Sequence, residues 1–326
     1  MPKPAASLPS VSAAPVPDDL QAELARWIAA LDTVILGKRE QLELAAACLL
    51  ARGHLLLEDA PGSGKTTLAR ALARSLGAQF RRIQFTSDLL PSDVLGVAVW
   101  SQERSAFVFK PGPIFANIVL ADELNRTPPR TQSALLECMS ESQVSIDGVT
   151  KALPQPFFVI ATQNPLEFEG TYPLPESQLD RFTMRLSLGH PPREAEARIL
   201  RGEGGEAELA KLESVTDLDA LARWSAHARN VRFDDSLHDY VLEIGARTRV
   251  DGSFLQGAST RALLALKRVS QALALVGGRS FCTPDDVKRA VIPVLAHRLT
   301  PAGESSGPEA SAELLGELLK SAPVPR

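Results

Sequence analysis

One stretch of the chain, residues 53–67, limits the folds that the rest can adopt. It reads Gly-His-Leu-Leu-Leu-Glu-Asp-Ala-Pro-Gly-Ser-Gly-Lys-Thr-Thr: an apolar run, a glycine-rich turn and the start of a helix. A buried strand that enters such a turn and helix is typical of α/β proteins that cradle a nucleoside triphosphate. An ordinary glycine-rich turn between a strand and a helix is the alternative.

The residue types in this turn match the needs of phosphate binding. Gly62 and Gly64 let the backbone approach phosphate oxygens without a Cβ in the way, and the following helix presents unpaired N–H groups. Lys65 is predicted to reach the β- and γ-phosphates, and Thr66 to ligate Mg²⁺. Asp59 stands where the strict pattern has glycine, so the entry of the loop is expected to differ. The predicted nucleotide-binding residues of the loop are Pro61, Gly62, Ser63, Gly64, Lys65, Thr66 and Thr67.

A pair of acidic residues, Asp122 and Glu123, ends a second apolar run at residues 117–121. Adjacent carboxylates at the end of a buried strand are costly unless a cation or a proton-transfer role compensates. Asp122 is therefore predicted to hold the Mg²⁺ shell through water, and Glu123 to orient and polarise an attacking water. The alternative is the start of a helix, where acidic residues are also favoured.

Polar residues also follow a third apolar run, residues 157–161. Ligands of open α/β sheets lie beyond the carboxyl ends of the strands, so Asn164 is expected to bond the γ-phosphate or the lytic water. A turn at Asn-Pro is the alternative. Farther along, a helical turn at residues 175–182 delivers Arg181 to the beginning of another strand, unless this arginine forms a salt bridge with Asp180.

Two longer segments carry a resemblance to a known family. Residues 122–137 read Asp-Glu-Leu-Asn-Arg-Thr-Pro-Pro-Arg-Thr-Gln-Ser-Ala-Leu-Leu-Glu, and residues 161–176 read Ala-Thr-Gln-Asn-Pro-Leu-Glu-Phe-Glu-Gly-Thr-Tyr-Pro-Leu-Pro-Glu. Both resemble signatures of the MoxR family of AAA+ ATPases, in the helix-two-insert branch, and the similarity extends from about Leu31 to about Thr300. The resemblance implies an enzyme that hydrolyses ATP to ADP and phosphate. It further implies a ring, usually a hexamer, that acts as a chaperone-like remodeller.

The resemblance also implies roles for individual residues. Asn164 resembles sensor 1, Arg181 the arginine finger and Arg261 sensor 2, although Thr260 stands where the family more often has proline. ATP and Mg²⁺ are the implied cofactors. Whether Arg261 acts on the nucleotide of its own chain or of a neighbour is left open. Two further residues fall where the family places the adenine: Ile35 and Gly37.

The succession of strand and helix patterns predicts the fold class. Strands and helices alternate from about residue 53 to residue 188, which indicates an α/β fold with a parallel sheet flanked by helices. Beyond residue 191 the predicted elements are helices, at residues 193–203, 217–229, 235–249, 260–276 and 285–299, the last opened by Thr283 as its N-cap. Both ends are rich in Pro, Ala and Ser and are expected to be flexible. The predicted division is a disordered tail at 1–17, an AAA+ nucleotide-binding α/β domain at 18–190, an all-helical lid at 191–300 and a C-terminal tail at 301–326.

Two β-hairpins are predicted within the α/β part. The first joins residues 96–100 to residues 107–109 through a polar loop at 101–106. The second spans residues 144–150 around Asp147-Gly148, a signal for a type I′ turn. The resemblance implies hairpins that point into or over the pore of a ring, and stiffening of the packing between subunits is the alternative.

Composition argues against several classes of protein. A formal net charge of −4 provides no global basic surface for non-specific binding of nucleic acid. The three cysteines, Cys48, Cys138 and Cys282, lack the spacing of a metal site and are predicted to be reduced. No apolar run approaches the roughly 20 residues of a membrane span. The sequence thus predicts a cytoplasmic protein without a membrane span or a nucleic-acid partner.

The expected partners follow from the resemblance. It implies a homo-oligomer and a von Willebrand A-domain partner supplied by another polypeptide, since residues 234–238 lack the second serine of the Asp-x-Ser-x-Ser pattern. A nucleic-acid motor and a chelatase-type motor subunit that drives metal insertion into a small molecule are the alternatives. The sequence does not indicate the client protein.

Overall fold

The computed structural model describes residues 17–146, 148–164, 170–250, 252–302 and 307–325. Its helices are α1 Asp18–Val34, α2 Arg39–Leu50, α3 Lys65–Ser75, α4 Pro91–Leu95, α5 Pro129–Glu141, α6 Glu176–Leu179, α7 Arg193–Leu200, α8 Gly205–Lys211, α9 Leu218–Asn230, α10 Asp235–Val250, α11 Thr260–Val276, α12 Pro284–Leu295 and α13 Pro308–Ser321. Its strands are β1 Leu55–Glu58, β2 Phe80–Gln84, β3 Gly96–Ser101, β4 Ala106–Pro111, β5 Ile118–Asp122, β6 Gln143–Ile146, β7 Val149–Ala152, β8 Phe158–Gln163, β9 Met184–Leu186, β10 Phe254–Gln256 and β11 Thr300–Pro301.

A five-stranded parallel sheet in the order β2-β5-β8-β1-β9 forms the centre of the first part of the chain. Successive residues of β5 enter different core clusters: Ile118 and Leu120 lie in one, and Val119 and Ala121 in the other. Because side chains alternate between the faces of a strand, both faces of the sheet are buried, as expected of a parallel sheet covered by helices. The predicted α/β fold class is confirmed.

The direction of the strands brings the predicted site residues together. β1, β5 and β8 are parallel neighbours, and the register pairs Glu58 with Gln163 at the ends of β1 and β8. Gln84 at the end of β2 pairs with Asp122 at the end of β5. The loops that follow these strands therefore meet at one edge of the sheet, where ligands of such sheets bind.

The second part of the chain is mainly helical, and α11 lies at its centre. This helix packs against α9 and α12 of the same part and against α2 of the first part. Ser259 precedes it and caps it, because its Oγ accepts the Ala262 N–H at 3.1 Å. The sequence of α11 is apolar on most faces of the helix, which agrees with this central position. The prediction of helices alone was incomplete, since β10 and β11 form a small antiparallel sheet here.

The prediction of a C-terminal tail was wrong for residues 308–321, which form α13. Leu315 and Leu318 of this helix are buried, and the hydroxyl of Ser311 donates to the Leu299 carbonyl oxygen at 2.9 Å. Leucines recur there at the spacing that gives a helix one apolar face, and this face packs against the lid helices. Of the predicted N-terminal tail, only Pro17 lies within the described residues.

Both predicted hairpins are present in the structure. β3 and β4 pair from Gly96 and Pro111 to Ser101 and Ala106, and β6 pairs with β7. Asp147 of the predicted type I′ turn lies outside the described residues. At the far end of the first hairpin the rings of Trp100 and Phe107 meet edge to face at 5.3 Å, and these side chains are 53% and 71% exposed.

Membrane association through a helix was not expected from the sequence. Among the helices that the structure describes, none is both long enough and apolar enough to cross a bilayer. The cytoplasmic location is a separate matter and stays a prediction.

Candidate active site

The loop between β1 and α3 curves around an open space. Gly62 and Gly64 have φ angles of +85° and +96°, in the left-handed region that favours glycine. No atom lies within 4 Å of the position that a Cβ would take on either residue. The backbone can therefore approach a ligand closely here, and the N-terminus of α3 adds N–H groups of the kind that bind anions.

Two cavities, each of about 350 Å³, lie on either side of this loop. They share residues 61–64 and Thr67 of the loop. The walls of the first cavity come from both parts of the chain and include Val34, Ile35, Leu36, Lys38, Ile199 and Gly205. The walls of the second include the polar side chains of Lys65, Thr66, Arg82, Asp122, Glu123 and Asn164. A ligand with an apolar ring at one end and phosphates at the other fits this pair of spaces.

Asp122, the last residue of β5, is buried beneath donors from two neighbouring strands. Its Oδ1 accepts the hydroxyl of Thr162 at 2.6 Å. Its Oδ2 accepts Nε and Nη2 of Arg82 at 3.0 and 2.5 Å. The positive charge of Arg82 compensates the buried carboxylate. Sequence reasoning missed both partners, although the position of Arg82 two residues before the end of β2 places it beside the end of β5.

Glu123 has a left-handed backbone, with φ at +57°. Such a conformation costs a residue other than glycine on the order of 1–3 kcal/mol and is concentrated at functional sites. The hydroxyl of Thr162 accepts the Glu123 N–H at 2.9 Å and holds this conformation. The carboxylate accepts the amide of Gln84 at 2.7 Å and lies 3.2 Å from Nε of Arg126. The side chain is one-third exposed and borders the second cavity.

Lys65, the first residue of α3, folds back onto its own loop. Its Nζ donates to the carbonyl oxygens of Asp59 at 2.6 Å and of Ala60 at 3.1 Å. Burial lowers the pKa of Lys65, while the charges of Asp59, Asp122 and Glu123 act in the opposite direction. The Lys65 side chain thus lies where the phosphate loop meets the acidic pair.

The residues present fit a nucleotide with a divalent cation. Ser63 and Gln163 line the second cavity, and their Oγ and Nε2 atoms have no hydrogen-bond partner in the part of the chain that the structure describes. The hydroxyl of Thr66 and the carboxylate of Asp122 are hard oxygen ligands. Mg²⁺ usually takes one or two such protein ligands together with substrate phosphates and water.

The two residues assigned to the adenine take different positions. Ile35 borders the first cavity. Gly37 instead packs against the start of α7: a Cβ on it would stand 2.7 Å from Cβ of Ala195 and 2.9 Å from Cδ of Pro192. Its φ of +71° and this close approach both require glycine. Gly37 therefore serves the contact between the two parts of the chain.

Arg181 and Arg261 border a third cavity, of about 240 Å³, apart from the other site residues. Arg181 donates to the Leu136 carbonyl oxygen at 3.2 Å and to the hydroxyl of Ser140. Asp180 lies 2.8 Å from Nε of Arg298 and 3.7 Å from Nε of Arg261. The alternative for Arg181, a salt bridge with Asp180, is therefore not what the structure contains. Within one chain these arginines do not share a cavity with Lys65 and Glu123.

A glycine-rich loop at the carboxyl edge of a parallel sheet, an acidic pair on the next loop and a helical lid together define an AAA+ ATPase. Residues 54–184 match the ATPase family associated with various cellular activities (AAA), and residues 246–317 match the AAA lid domain. The chain belongs to the MoxR family of these ATPases. The resemblance seen in the sequence is confirmed.

Similar proteins cover nearly the whole chain. It is 46% identical to the Bacillus subtilis protein YeaC over 310 residues, which are 94% of this chain and 97% of the relative. It is 39% identical to Chaperone MoxR1 of Mycobacterium tuberculosis over 313 residues, 93% of this chain and 82% of the relative. A Cytophaga hutchinsonii crystal structure assigned as an ATPase matches with a TM-score of 0.84 at 35% identity and covers 94% of this chain and 96% of its own.

Proposed function

We propose that this ATPase binds MgATP across the two cavities and uses hydrolysis to remodel complexes of other proteins. The observation that carries the catalytic part is the convergence of Lys65, Asp122, Glu123 and Asn164 on one cavity beside the phosphate loop. The name of the relative Chaperone MoxR1 supports the remodelling part.

Five side chains that border the second cavity have proposed tasks. Lys65 leaves the carbonyl oxygens of its loop and contacts the β- and γ-phosphates. Thr66 and Asp122 would hold Mg²⁺, which when bound would neutralise charge on the phosphate oxygens. Glu123 orients and polarises the attacking water, and Asn164 bonds the γ-phosphate or that water. Phosphoryl transfer needs little covalent chemistry from the protein, so positioning and charge account for most of the catalysis.

The remaining two assigned residues, Arg181 and Arg261, are proposed to act on the nucleotide of an adjacent copy in a homo-oligomeric, usually hexameric, ring. Their separation from Lys65 and Glu123 within one chain supports this arrangement, and AAA+ ATPases typically assemble into oligomers. An arginine supplied in trans is worth about 10³ to 10⁵ in rate. An isolated subunit is therefore expected to be nearly inactive.

The proposed partner is a von Willebrand A-domain protein that binds the ATP-loaded ring. This part of the proposal rests on the MoxR family membership. The exposed rings of Trp100 and Phe107 on the first hairpin supply an apolar surface that such a partner or its client can contact.

A hydrolysis-deficient variant tests the catalytic assignment first. Glu123→Gln is expected to bind a fluorescent MgATP analogue as tightly as the unaltered chain but to hydrolyse ATP about 100-fold or more slowly, because the water loses its base. Lys65→Ala is the matched control that loses binding itself. Hydrolysis by Glu123→Gln at a rate close to that of the unaltered chain would show that the role given to Glu123 is wrong.

The same variant then serves as a trap for partners. In lysates of the source organism, tagged Glu123→Gln with ATP is expected to retain a von Willebrand A-domain protein that Lys65→Ala does not retain. Recovery of nucleic acid without such a protein would favour the nucleic-acid motor. Recovery of an enzyme that inserts metal into a small molecule would favour the chelatase alternative.

A further inference from the structure

The buried carboxylate of Asp59 bonds a segment outside the phosphate loop. Asp59 directly follows β1 and is 7% exposed. Its Oδ1 accepts the hydroxyl of Ser187 at 2.7 Å and the Gly189 N–H at 3.1 Å, and its Oδ2 accepts the Leu188 N–H at 2.6 Å. Hydrogen bonds to a charged acceptor are about twice as strong as neutral ones. The first residue of the loop is thus firmly attached to residues 187–189.

Lys38 holds the same segment through its carbonyl groups. Its Nζ donates to the carbonyl oxygens of Leu188 and, at 2.7 Å, of Gly189, and the residue is 6% exposed. The N–H groups of these two residues therefore face an anion, and their carbonyl groups face a cation. Residues 187–192 connect β9, the edge strand of the sheet, to α7, the first helix of the predicted lid. We call them the linker.

The main chain of Asp59 is engaged by the phosphate loop at the same time. Its carbonyl oxygen accepts Nζ of Lys65 at 2.6 Å. When Lys65 reaches for phosphates, this oxygen loses its donor. One residue thus joins the side chain that responds to the nucleotide to the segment that leads into the lid.

We propose that Asp59 is a positioning residue that couples occupancy of the phosphate loop to the orientation of the lid, through its carboxylate and the linker. The inference rests on the proposed binding of ATP at this loop and adds the route by which binding reaches the lid. By linkage, the orientation of the lid then also changes the affinity for nucleotide. Glycine, the residue of the strict pattern, has no side chain to make this connection.

The side chain chemistry selects the test variants. Asp59→Asn keeps the size but replaces one acceptor oxygen with an N–H₂ group that opposes a donor of the linker. Asp59→Gly restores the strict loop pattern and removes the connection. Glu206→Gln is the matched control, because Glu206 of α8 pairs with Arg70 of α3 at 2.6 Å and also joins the lid to the α/β part, but on the exposed surface.

Fluorescence energy transfer between the two parts reports the response of the lid. Cysteines introduced at Arg81 and Asp239, both exposed, carry the dyes, since Cys48, Cys138 and Cys282 are buried. Transfer is measured without nucleotide, with saturating ADP and with saturating MgATP. Saturation removes any difference in affinity from the comparison, and ADP makes the test independent of hydrolysis and hence of the role given to Glu123.

The unaltered chain and Glu206→Gln are expected to show the same change in transfer on binding ADP. In Asp59→Asn and Asp59→Gly this change in transfer is expected to be less than half of that in the unaltered chain. The affinity for ADP is expected to weaken by roughly fivefold or more, and kcat and KM for ATP hydrolysis are expected to change together. A full change in transfer in the Asp59 variants would overturn the inference, even if their melting temperature fell. An equal loss in Glu206→Gln would overturn it too.

Ser187→Ala keeps the test decisive if neither Asp59 variant folds. It removes one of the three bonds to the carboxylate and leaves the charge in place. An intermediate change in transfer supports the coupling. A change equal to that of the unaltered chain contradicts it.

Discussion

His54 shows how a residue outside the cavities fixes the position of the strands that form them. Its Nδ1 accepts the Val159 N–H at 3.1 Å, and its Nε2 lies 2.9 Å from the carbonyl oxygen of Met139. The ring must therefore be neutral, with the proton on Nε2. It joins the start of β1 to β8 and to α5. Burial lowers the pKa of His54 to about 4.

This lowered pKa predicts a dependence of stability on pH. Between pH 6.5 and about 4 the unfolded chain binds a proton at His54 that the folded chain does not. The contribution of His54 to the free energy of unfolding is therefore complete above pH 6.5 and is lost as the pH falls. The loss approaches about 1.4 kcal/mol per pH unit. The free energy of unfolding, measured by urea titration at pH 7, 6 and 5, should fall less steeply with falling pH for His54→Gln than for the unaltered chain. An equal dependence on pH in the two chains would contradict this account.

The site residues differ in how far sequence could identify them. Asp122, Glu123 and Asn164 lie within three residues of the ends of apolar runs, and Lys65 ends the glycine-rich turn that follows another such run. Parallel strands bring such positions to one edge of the sheet. The bonds of Asp59 to residues 187–189 depend on the pairing of β1 with β9, which are more than 120 residues apart in the chain. No local pattern contains that pairing. The sequence shows that Asp59 stands where the strict pattern has glycine, but it does not show which residues bond its carboxylate.

At the scale of elements, strong local signals gave good boundaries. α11 has the predicted limits, and α12 begins after Thr283, whose N–H and hydroxyl donate to Asp286 at 2.8 and 2.9 Å. α8, β10 and β11 were missed because they are short and are held by tertiary contacts rather than by propensity. α13 was missed because flanking Pro, Gly and Ser residues hid a short amphipathic pattern.

Helix α13 is expected to contribute measurably to folding. Leu315→Ala removes a fully buried side chain and should lower the free energy of unfolding by about 2–5 kcal/mol, from lost transfer energy and the cavity left behind. Glu313→Ala, on the exposed side of the same helix, is the control and should change stability little. Equal stability of both variants in urea titrations would show that this segment does not contribute to folding.

The first hairpin is expected to affect coupling more than chemistry. Replacing residues 101–106 by a two-residue Asn-Gly turn removes the tip while keeping a turn type that suits paired strands. Basal ATP hydrolysis should persist, because the tip does not border the second cavity, while retention of the von Willebrand A-domain partner should fall. A parallel fall in basal hydrolysis, measured by phosphate release, would assign the hairpin to subunit packing instead.

At the scale of the whole molecule, the separate position of Arg181 predicts complementation between inactive chains. Arg181→Ala keeps its own phosphate loop, and Glu123→Gln keeps its arginine. Each alone should be inactive, whereas random mixing should restore roughly a quarter of the interfaces of a closed ring. Lys65→Ala mixed with Glu123→Gln is the control and should stay inactive. A mixture of Arg181→Ala with Glu123→Gln that assembles, by size-exclusion chromatography, but hydrolyses no ATP would place Arg181 in a structural or intramolecular role.

The first cavity has walls from both parts of the chain, so whatever fills it also binds these parts to one another. A ligand that binds only the folded state adds to its stability in proportion to the logarithm of concentration, about 2.7 kcal/mol at a hundredfold excess over the dissociation constant. That is a sizeable fraction of the total stability of an ordinary domain. The concentration of nucleotide would then set the resistance of the protein to unfolding and proteolysis, in addition to its rate of hydrolysis.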